Sequence, residues 1–332
     1  MRVAVAAGKW AVALAVILLC RPCWAHHGGV SFGFGPGSPI ETNSPLTLPQ
    51  GGFVLSTRVE QVEWRRFGFA EPSNKTSSTF MNVGLSHGIT PYLMGSVFVP
   101  YTVKRQDGLD DVHDIGDVKF QLSLGCNYDP KQGLGLNRPE DTAVVMEGSK
   151  KLYLGGFASI TAPTGTHNHL RPGETEVDKT MQTGFGNPAF SFGLAAARHL
   201  VGSLSLTADT SYDIFTEADR FKYGSEFRFD LAPVYQLYRK PEHFLSQMDG
   251  VLELNLLDIA RDEVSGAPTT ASGGTVLYLS PGVRFSFPTV WNANLGLLVK
   301  IPVWKDLNEQ SQQQGSEGLE GYRAIVILSF FF

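Results

Sequence analysis

Cysteine is scarce: the 332 residues contain three, and Cys20 and Cys23 fall within the first 25. Once that leader is set aside, Cys126 stands alone, which excludes a disulfide framework within one chain. The spacing Cys20-Arg21-Pro22-Cys23 imitates a redox or metal motif, but it lies inside the leader. Long apolar runs are missing as well. The longest, Trp10 to Cys20, has eleven residues, whereas a membrane-crossing helix needs about 20. A basic surplus is also lacking: 27 Lys and Arg stand against 32 Asp and Glu, and the leader takes Arg2, Lys9 and Arg21 with it. Binding a phosphate backbone needs clustered cations, so a nucleic-acid partner is excluded. No P-loop, no H-E-x-x-H and no polar linker splitting residues 26–332 is present.

The first residues read as a processing signal. Arg2 and Lys9 give a positive start, the apolar run comes next, and Cys23-Trp24-Ala25 places small residues where a signal peptidase reads them. Residues 1–25 are therefore expected to be a signal peptide, with His26 opening the mature chain. A lipoprotein reading fits less well, because Cys20 follows a Leu pair and Cys23 follows Pro22. Exported and without a membrane helix, the chain can span a bilayer only as a barrel.

Alternation with a period of two dominates the rest of the chain. Leu204, Leu206, Ala208, Thr210, Tyr212 and Ile214 alternate with Ser203, Ser205, Thr207, Asp209, Ser211 and Asp213. Phe227, Phe229 and Leu231 alternate in the same way with Glu226, Arg228 and Asp230, and Val118, Phe120, Leu122 and Leu124 with Lys119, Gln121 and Ser123. Successive strand residues point to opposite faces, so each segment has an apolar and a polar side. Twelve such segments are expected, near 52–64, 78–87, 91–103, 116–128, 150–163, 185–199, 203–215, 223–238, 248–259, 274–287, 291–303 and 320–332. Links after odd segments are mostly long and polar, and links after even ones mostly short. The exception is 129–149, which holds either a small periplasmic element or an overlooked pair of strands. The pattern predicts an all-β fold: an antiparallel transmembrane β-barrel of about 12 strands, with short periplasmic turns and longer extracellular loops.

The end of the chain carries the strongest signal. Tyr322, Ala324, Val326, Leu328, Phe330 and Phe332 share one face, and Phe332 is the last residue. Outer-membrane proteins of bacteria typically end in this way, which points to outer-membrane lipid and the barrel-assembly machinery as partners. In water such a strand would be an aggregation hazard. The barrel is expected over 51–332, and residues 26–50, rich in Gly and Pro, as a periplasmic or plug segment.

Several motifs imitate chemistry. Gly84-Leu85-Ser86-His87-Gly88 spells G-x-S-x-G, but no helix comes after it to make the strained turn that exposes a nucleophile. Gly184-Phe185-Gly186-Asn187-Pro188-Ala189 resembles a dinucleotide loop, yet Pro188 and the alternation beyond it exclude the helix that would hold a pyrophosphate. His26-His27-Gly28-Gly29 at the expected mature start offers a free amine and imidazoles for a divalent metal, although solvated termini are the commoner case. His167-Asn168-His169, near Glu174, Glu176 and Asp178, reads as a polar surface loop. If the apolar faces meet lipid, Arg58, Glu60, Lys119, Asp209, Asp213, Glu226, Arg228, Asp230, Glu253, Arg284 and Lys300 point inward. They either pair into a polar filling or line a water-filled route.

Ile115-Gly116-Asp117-Val118 opening a strand, Thr161-Ala162-Pro163-Thr164-Gly165 ending one and Thr183-Gly184-Phe185-Gly186 opening the next form a set. Over roughly residues 50–332 the chain resembles the bacterial family named for the meta-pathway of phenol degradation, whose members are often labelled outer-membrane transporters. The resemblance implies a channel for small aromatic or hydrophobic compounds, which no residue shows independently. The leading expectation is thus a passive outer-membrane channel for a small-molecule solute, without cofactor and not an enzyme. The rivals are a structural or metal-binding barrel and an outer-membrane lipid hydrolase. The hydrolase would need a nucleophile beside a His at the lipid boundary, whereas His87 and His199 fall near the expected periplasmic ends.

Overall fold

Alternation over strands this long suits a barrel wall with one face toward lipid and the other toward the lumen. The strands run from 11 to 16 residues, and about 9–11 suffice to cross a bilayer at a tilt. The computed structural model describes residues 38–66, 74–141, 149–288, 292–309, 313 and 320–332. The expected signal peptide with Cys20 and Cys23, and the candidate metal ligands His26 and His27, lie outside the described residues.

The twelve long strands of the described residues are β1 (Phe53–Trp64), β2 (Lys75–Thr90), β3 (Leu93–Gln106), β4 (Val118–Asp129), β5 (Leu152–Ala162) and β6 (Ala189–Val201). They continue as β7 (Leu204–Phe215), β8 (Glu226–Arg239), β9 (Gln247–Ile259), β10 (Gly274–Phe287), β11 (Ala293–Leu307) and β12 (Glu320–Phe331). Each pairs antiparallel with its sequence neighbours, and β1 pairs with β12 from Val54↔Phe331 to Trp64↔Glu320. Phe53 N–H donates to the Phe332 carbonyl (3.0 Å) and Phe332 N–H returns the bond to Phe53 (2.9 Å). The sheet is therefore closed and has no free edge, the one β-architecture that satisfies its backbone in lipid. No helix of the described residues is long and apolar enough to cross a membrane.

The two faces differ as the alternation requires. Phe120, Leu122, Phe192, Leu194, Leu252 and Val299 project outward and stay exposed, as do Tyr322, Val326, Leu328 and Phe332 of the terminal segment. Arg58, Glu253, Ser280 and Arg284 project inward and are fully buried. A soluble monomer rarely exposes contiguous apolar patches beyond a few hundred Å²; here the outward band surrounds the barrel, and its solvent is lipid.

Among its described residues, the link 130–151 holds a short ribbon rather than further barrel strands. Gly133–Leu136 folds back on Cys126–Asp129, and a 3-10 turn comes next at Pro139–Asp141. Asp141 anchors it, accepting from Lys151 Nζ (2.5 Å), Asn127 Nδ2 (3.0 Å) and Arg138 N (3.1 Å). β2 extends beyond its expected limits of 78–87 at both ends. At its outer end the added residues Lys75, Thr76 and Ser77 are polar and carry no alternation. Above the membrane that is no obstacle, since the hairpin ladder with β3 needs only backbone.

Between β3 and β4 the ladder slips by one residue, from Phe98↔Lys119 to Tyr101↔Ile115, where Val112–Ile115 continues the hairpin upward. The extra residue is a bulge at Gly116-Asp117, a device that re-aims a side chain. Asp117 is buried there.

Depth along the terminal strand sets the cost of an outward charge. Val326→Arg, mid-strand, should destabilise the barrel by about 2–4 kcal/mol, and Tyr322→Arg, near the outer rim, by about 0–1 kcal/mol. Denaturant titration in lipid vesicles measures both, and equal costs would contradict the outward, membrane-embedded placement of this face.

Candidate functional site

Of the eleven charged residues assigned inward by alternation, nine are buried and Lys119 and Asp213 half-buried, and their contacts sort them into groups. One is a chain of alternating charge. Lys300 Nζ contacts Glu41 (3.0 Å), Glu41 contacts Arg58 (2.5 Å), and Arg58 contacts Glu60 (2.6 Å). Glu60 in turn meets Arg323, and Arg323 meets Glu320. Every link is buried, and removing one member of a buried pair typically costs about 3–5 kcal/mol because the other charge is stranded. Lys300 also sits 4.6 Å from the centre of the Tyr278 ring. A second group joins Arg228 to Glu226 and, at 3.8 Å, to Asp213.

Two of the remaining inward acids, Glu253 and Asp209, hold a segment that has no regular structure. Ser38–Gln50 precedes β1 and runs inside the barrel, with Ile40, Glu41, Thr42, Leu46, Thr47 and Leu48 buried. One Glu253 oxygen accepts from the backbone N–H of Ile40 (2.7 Å) and Glu41 (2.9 Å), and the other from Thr42 N–H (2.7 Å) and Thr42 Oγ1 (2.5 Å). Asp209 accepts from Asn43 N–H (2.8 Å) and Nδ2 (3.0 Å), and Arg284 donates to the Pro39 carbonyl (2.5 Å). Asp230 accepts from Asn255 (2.9 Å) and sits opposite Asp209 in the ladder. Ile40 packs among Val234, Val251, Leu298, Ile325 and Ile327, while Leu46 and Leu48 pack with Val54, Met94 and Phe98. Gly155 makes room: a Cβ there would lie 2.7 Å from Pro45 Cα.

The outer mouth is closed from the other side. Link 163–188 folds inward around a 3-10 turn at Lys179–Met181. Lys104 Nζ donates to the carbonyls of Thr180 (2.9 Å) and Gln182 (2.6 Å), Lys75 reaches Thr180 Oγ1, and Tyr223 donates to the Lys179 carbonyl (2.5 Å). Asp117 is the latch. One oxygen accepts from Gly165 N–H (2.7 Å), the other from Phe185 N–H (2.6 Å). The three short sequence motifs around Gly116, Gly165 and Gly184 thus meet at one carboxylate. Only glycine fits: a Cβ on Gly184 would lie 2.6 Å from Gly165, and one on Gly165 would lie 2.9 Å from Gly116. Sequence reasoning placed these motifs at strand ends and missed the role of Asp117. Its position on a bulge gave no periodic clue.

Against the inward link, lined by residues of β1 to β8, lies a cavity of about 110 Å³. Phe80, Phe98, Phe185 and Phe215 supply its apolar walls, and Asn82, Lys104, Lys119, Asp213 and Glu226 its polar ones. The hydrolase-like motif is not at any such site as a nucleophile: Ser86 Oγ lies 2.7 Å from Ser96 Oγ, and His87 stacks on Phe53 at 4.2 Å. His167 lies 3.6 Å from Asp219, and the His169 backbone N–H donates to Gln182, so the pair serves the loop. Among the described residues no group of three or more His, Cys, Asp or Glu side chains could hold a metal.

Protonation acts on the outer link in two directions. The Glu174 carboxyl is held below its ordinary range, foremost by its hydrogen bonds from Arg171. Burial pushes Asp178 up, but Lys75 and Thr180 outweigh it, so its carboxyl too lies below that range. Both stabilise the link as anions; this contribution is complete above the ordinary range, about 4, and fades as pH falls through their lowered values. Burial dominates at Asp117 and raises its carboxyl despite the two N–H donors, so its contribution persists in acid and weakens as pH rises. Amide hydrogen exchange between about pH 5 and pH 3, corrected for intrinsic rates, should speed up at Thr180–Gln182 while Gly165 and Phe185 stay protected. Uniform behaviour across both groups would refute this division.

The model of a family described as "Putative MetA-pathway of phenol degradation" matches residues 87–304. Among solved structures the chain is similar to the COG4313 outer membrane channel from Pseudomonas putida F1, with a TM-score of 0.64 at 13% identity, covering 90% of this chain and 100% of that one. The NanC porin (TM-score 0.42, 8% identity, 83% and 98% covered) and the beta domain of the Bordetella autotransporter BrkA (0.44, 10%, 85% and 100%) are more distant. No curated protein sequence matches the chain. The fold is that of an outer-membrane, channel-like barrel.

Proposed function

Because the chain belongs to the family described as "Putative MetA-pathway of phenol degradation", we propose that it is an outer-membrane channel passing a small solute with an aromatic or hydrophobic body. The observation that carries this reading is the cavity between the inward link and the charged wall of the barrel. At about 110 Å³ it is somewhat smaller than the ~150 Å³ engineered cavity known to take benzene, so a single ring or a few waters fill it.

Passage then requires the lumenal segment to leave its seat. Ser38–Gln50 is held by carboxylates accepting from its backbone and by two small apolar clusters, and its covalent tie to the wall is its continuation into β1. Contacts of this kind support a seated and an unseated state. The sequence contains no nucleotide motif, so passage is downhill, driven by the solute gradient.

Glu253→Ala strands the N–H groups of Ile40, Glu41 and Thr42, and a single stranded buried group costs about 1–3 kcal/mol. The seated state should lose at least about tenfold in relative population. In planar bilayers this variant, and a chain lacking residues 38–50, should show larger and longer openings than the parent, with block by added single-ring solutes. Variants that migrate as folded, heat-modifiable barrels yet stay silent would overturn the channel reading and leave a structural barrel.

A further inference from the structure

Within the lumen most cations are met by a carboxylate or, like Lys104 and Arg284, by backbone carbonyls. Arg58, Arg323 and Lys300 belong to the alternating chain, and Arg228 contacts Glu226 and Asp213. Lys119 is different. It lines the cavity, its Nζ donates to Ser191 Oγ (3.3 Å), and among the described residues no carboxylate oxygen lies within 4 Å of it. The charged neighbours it senses are Asp213 and Arg228, which are of opposite sign and already in contact with each other. An inward ammonium without a counterion is an expensive arrangement unless water or an anion completes it.

Two acceptors share the cavity. Asn82 Oδ1 and Glu226 Oε1 are buried with no hydrogen-bond partner. The ladder places Phe98 directly opposite Lys119, and both line the cavity. A cation, two open acceptors and apolar walls that converge on one small space are the makings of an orienting site.

We infer that this cavity reads an anionic group, and that Lys119 takes the carboxylate of a single-ring acid whose ring lies among Phe80, Phe98, Phe185 and Phe215. A hydroxyl on the far side of such a ring would donate to Asn82 or Glu226. The inference rests on the channel reading for its context but names something that reading leaves open: the solute is a ring anion, not a neutral ring.

Calorimetric titration of the purified barrel with benzoate, benzyl alcohol and acetate tests it. Benzoate should bind at least tenfold more tightly than either of the others. Lys119→Met should bring benzoate down to the level of benzyl alcohol and leave benzyl alcohol unchanged, while Lys119→Arg retains the preference. Equal affinity of the parent protein for benzoate and benzyl alcohol overturns the inference, as does a preference that survives Lys119→Met. The parent comparison decides the matter even if the variants fail to fold. Conductance separates the two readings. Openings without benzoate preference leave the channel and remove the anion site, whereas a silent barrel with Lys119-dependent benzoate binding keeps the site and removes passage.

Discussion

A strand in hydrocarbon has nowhere to place an unpaired N–H or carbonyl, and the rest of this structure depends on that constraint. β1 must find β12 across the whole length of the chain, and it does so along nearly its full length, down to the carbonyl of Phe332. Closure fixes which face of every strand meets lipid, because a slip of one residue would exchange the faces. It also fixes what must happen inside. Twelve strands enclose a narrow space, and most charges turned inward find a partner in another inward side chain or in the backbone.

The interior is accordingly an electrostatic core rather than an oily one. Arg58, Glu60, Arg323, Glu320 and Lys300 come from three strands, and Glu41 from the segment before β1 completes their balance. The segment is therefore a component of the charge pairing as well as an obstruction. Taking it away unbalances Lys300 and Arg58 and at the same time frees Glu253 and Asp209. The cost of opening and the charge of the opened lumen are set by the same residues. At the outer mouth the arrangement is of another kind, since Asp117 holds backbone amides and glycines remove the bulk that would separate them.

The parts of the molecule with a period were legible in the residues. Twelve alternating segments correspond to twelve strands, and the same alternation sets the buried Arg58, Glu253 and Arg284 apart from the exposed apolar residues. Where the backbone leaves its period, the signal ends. Glu41 sits in a stretch of Gly, Pro and Ser with no pattern to orient it, and Asp117 occupies a bulge that by construction breaks the alternation. Arg323 was within reach, because it lies on the polar face of a strand whose apolar face drew the attention. Link 163–188 looked like an external loop because its polar residues suit solvent equally well. Its inward fold depends on Lys75, Lys104 and Tyr223, which are far from it in sequence.

The contacts of Ser38–Gln50 also bear on how the molecule comes to be built. Glu41 meets Lys300 at a separation of 259 residues, Pro39 meets Arg284 at 245, and Thr42 meets Glu253 at 211. These are among the most distant partnerships in the chain, formed by residues that leave the ribosome early. Such non-local contacts are slow to form, because chain closure must precede them. The segment can take its seat only when β9, β10 and β11 stand in place, so the first-made part of the barrel is the last to be finished. Until that moment the new barrel is an unstoppered one, and its interior charges wait for their final partner.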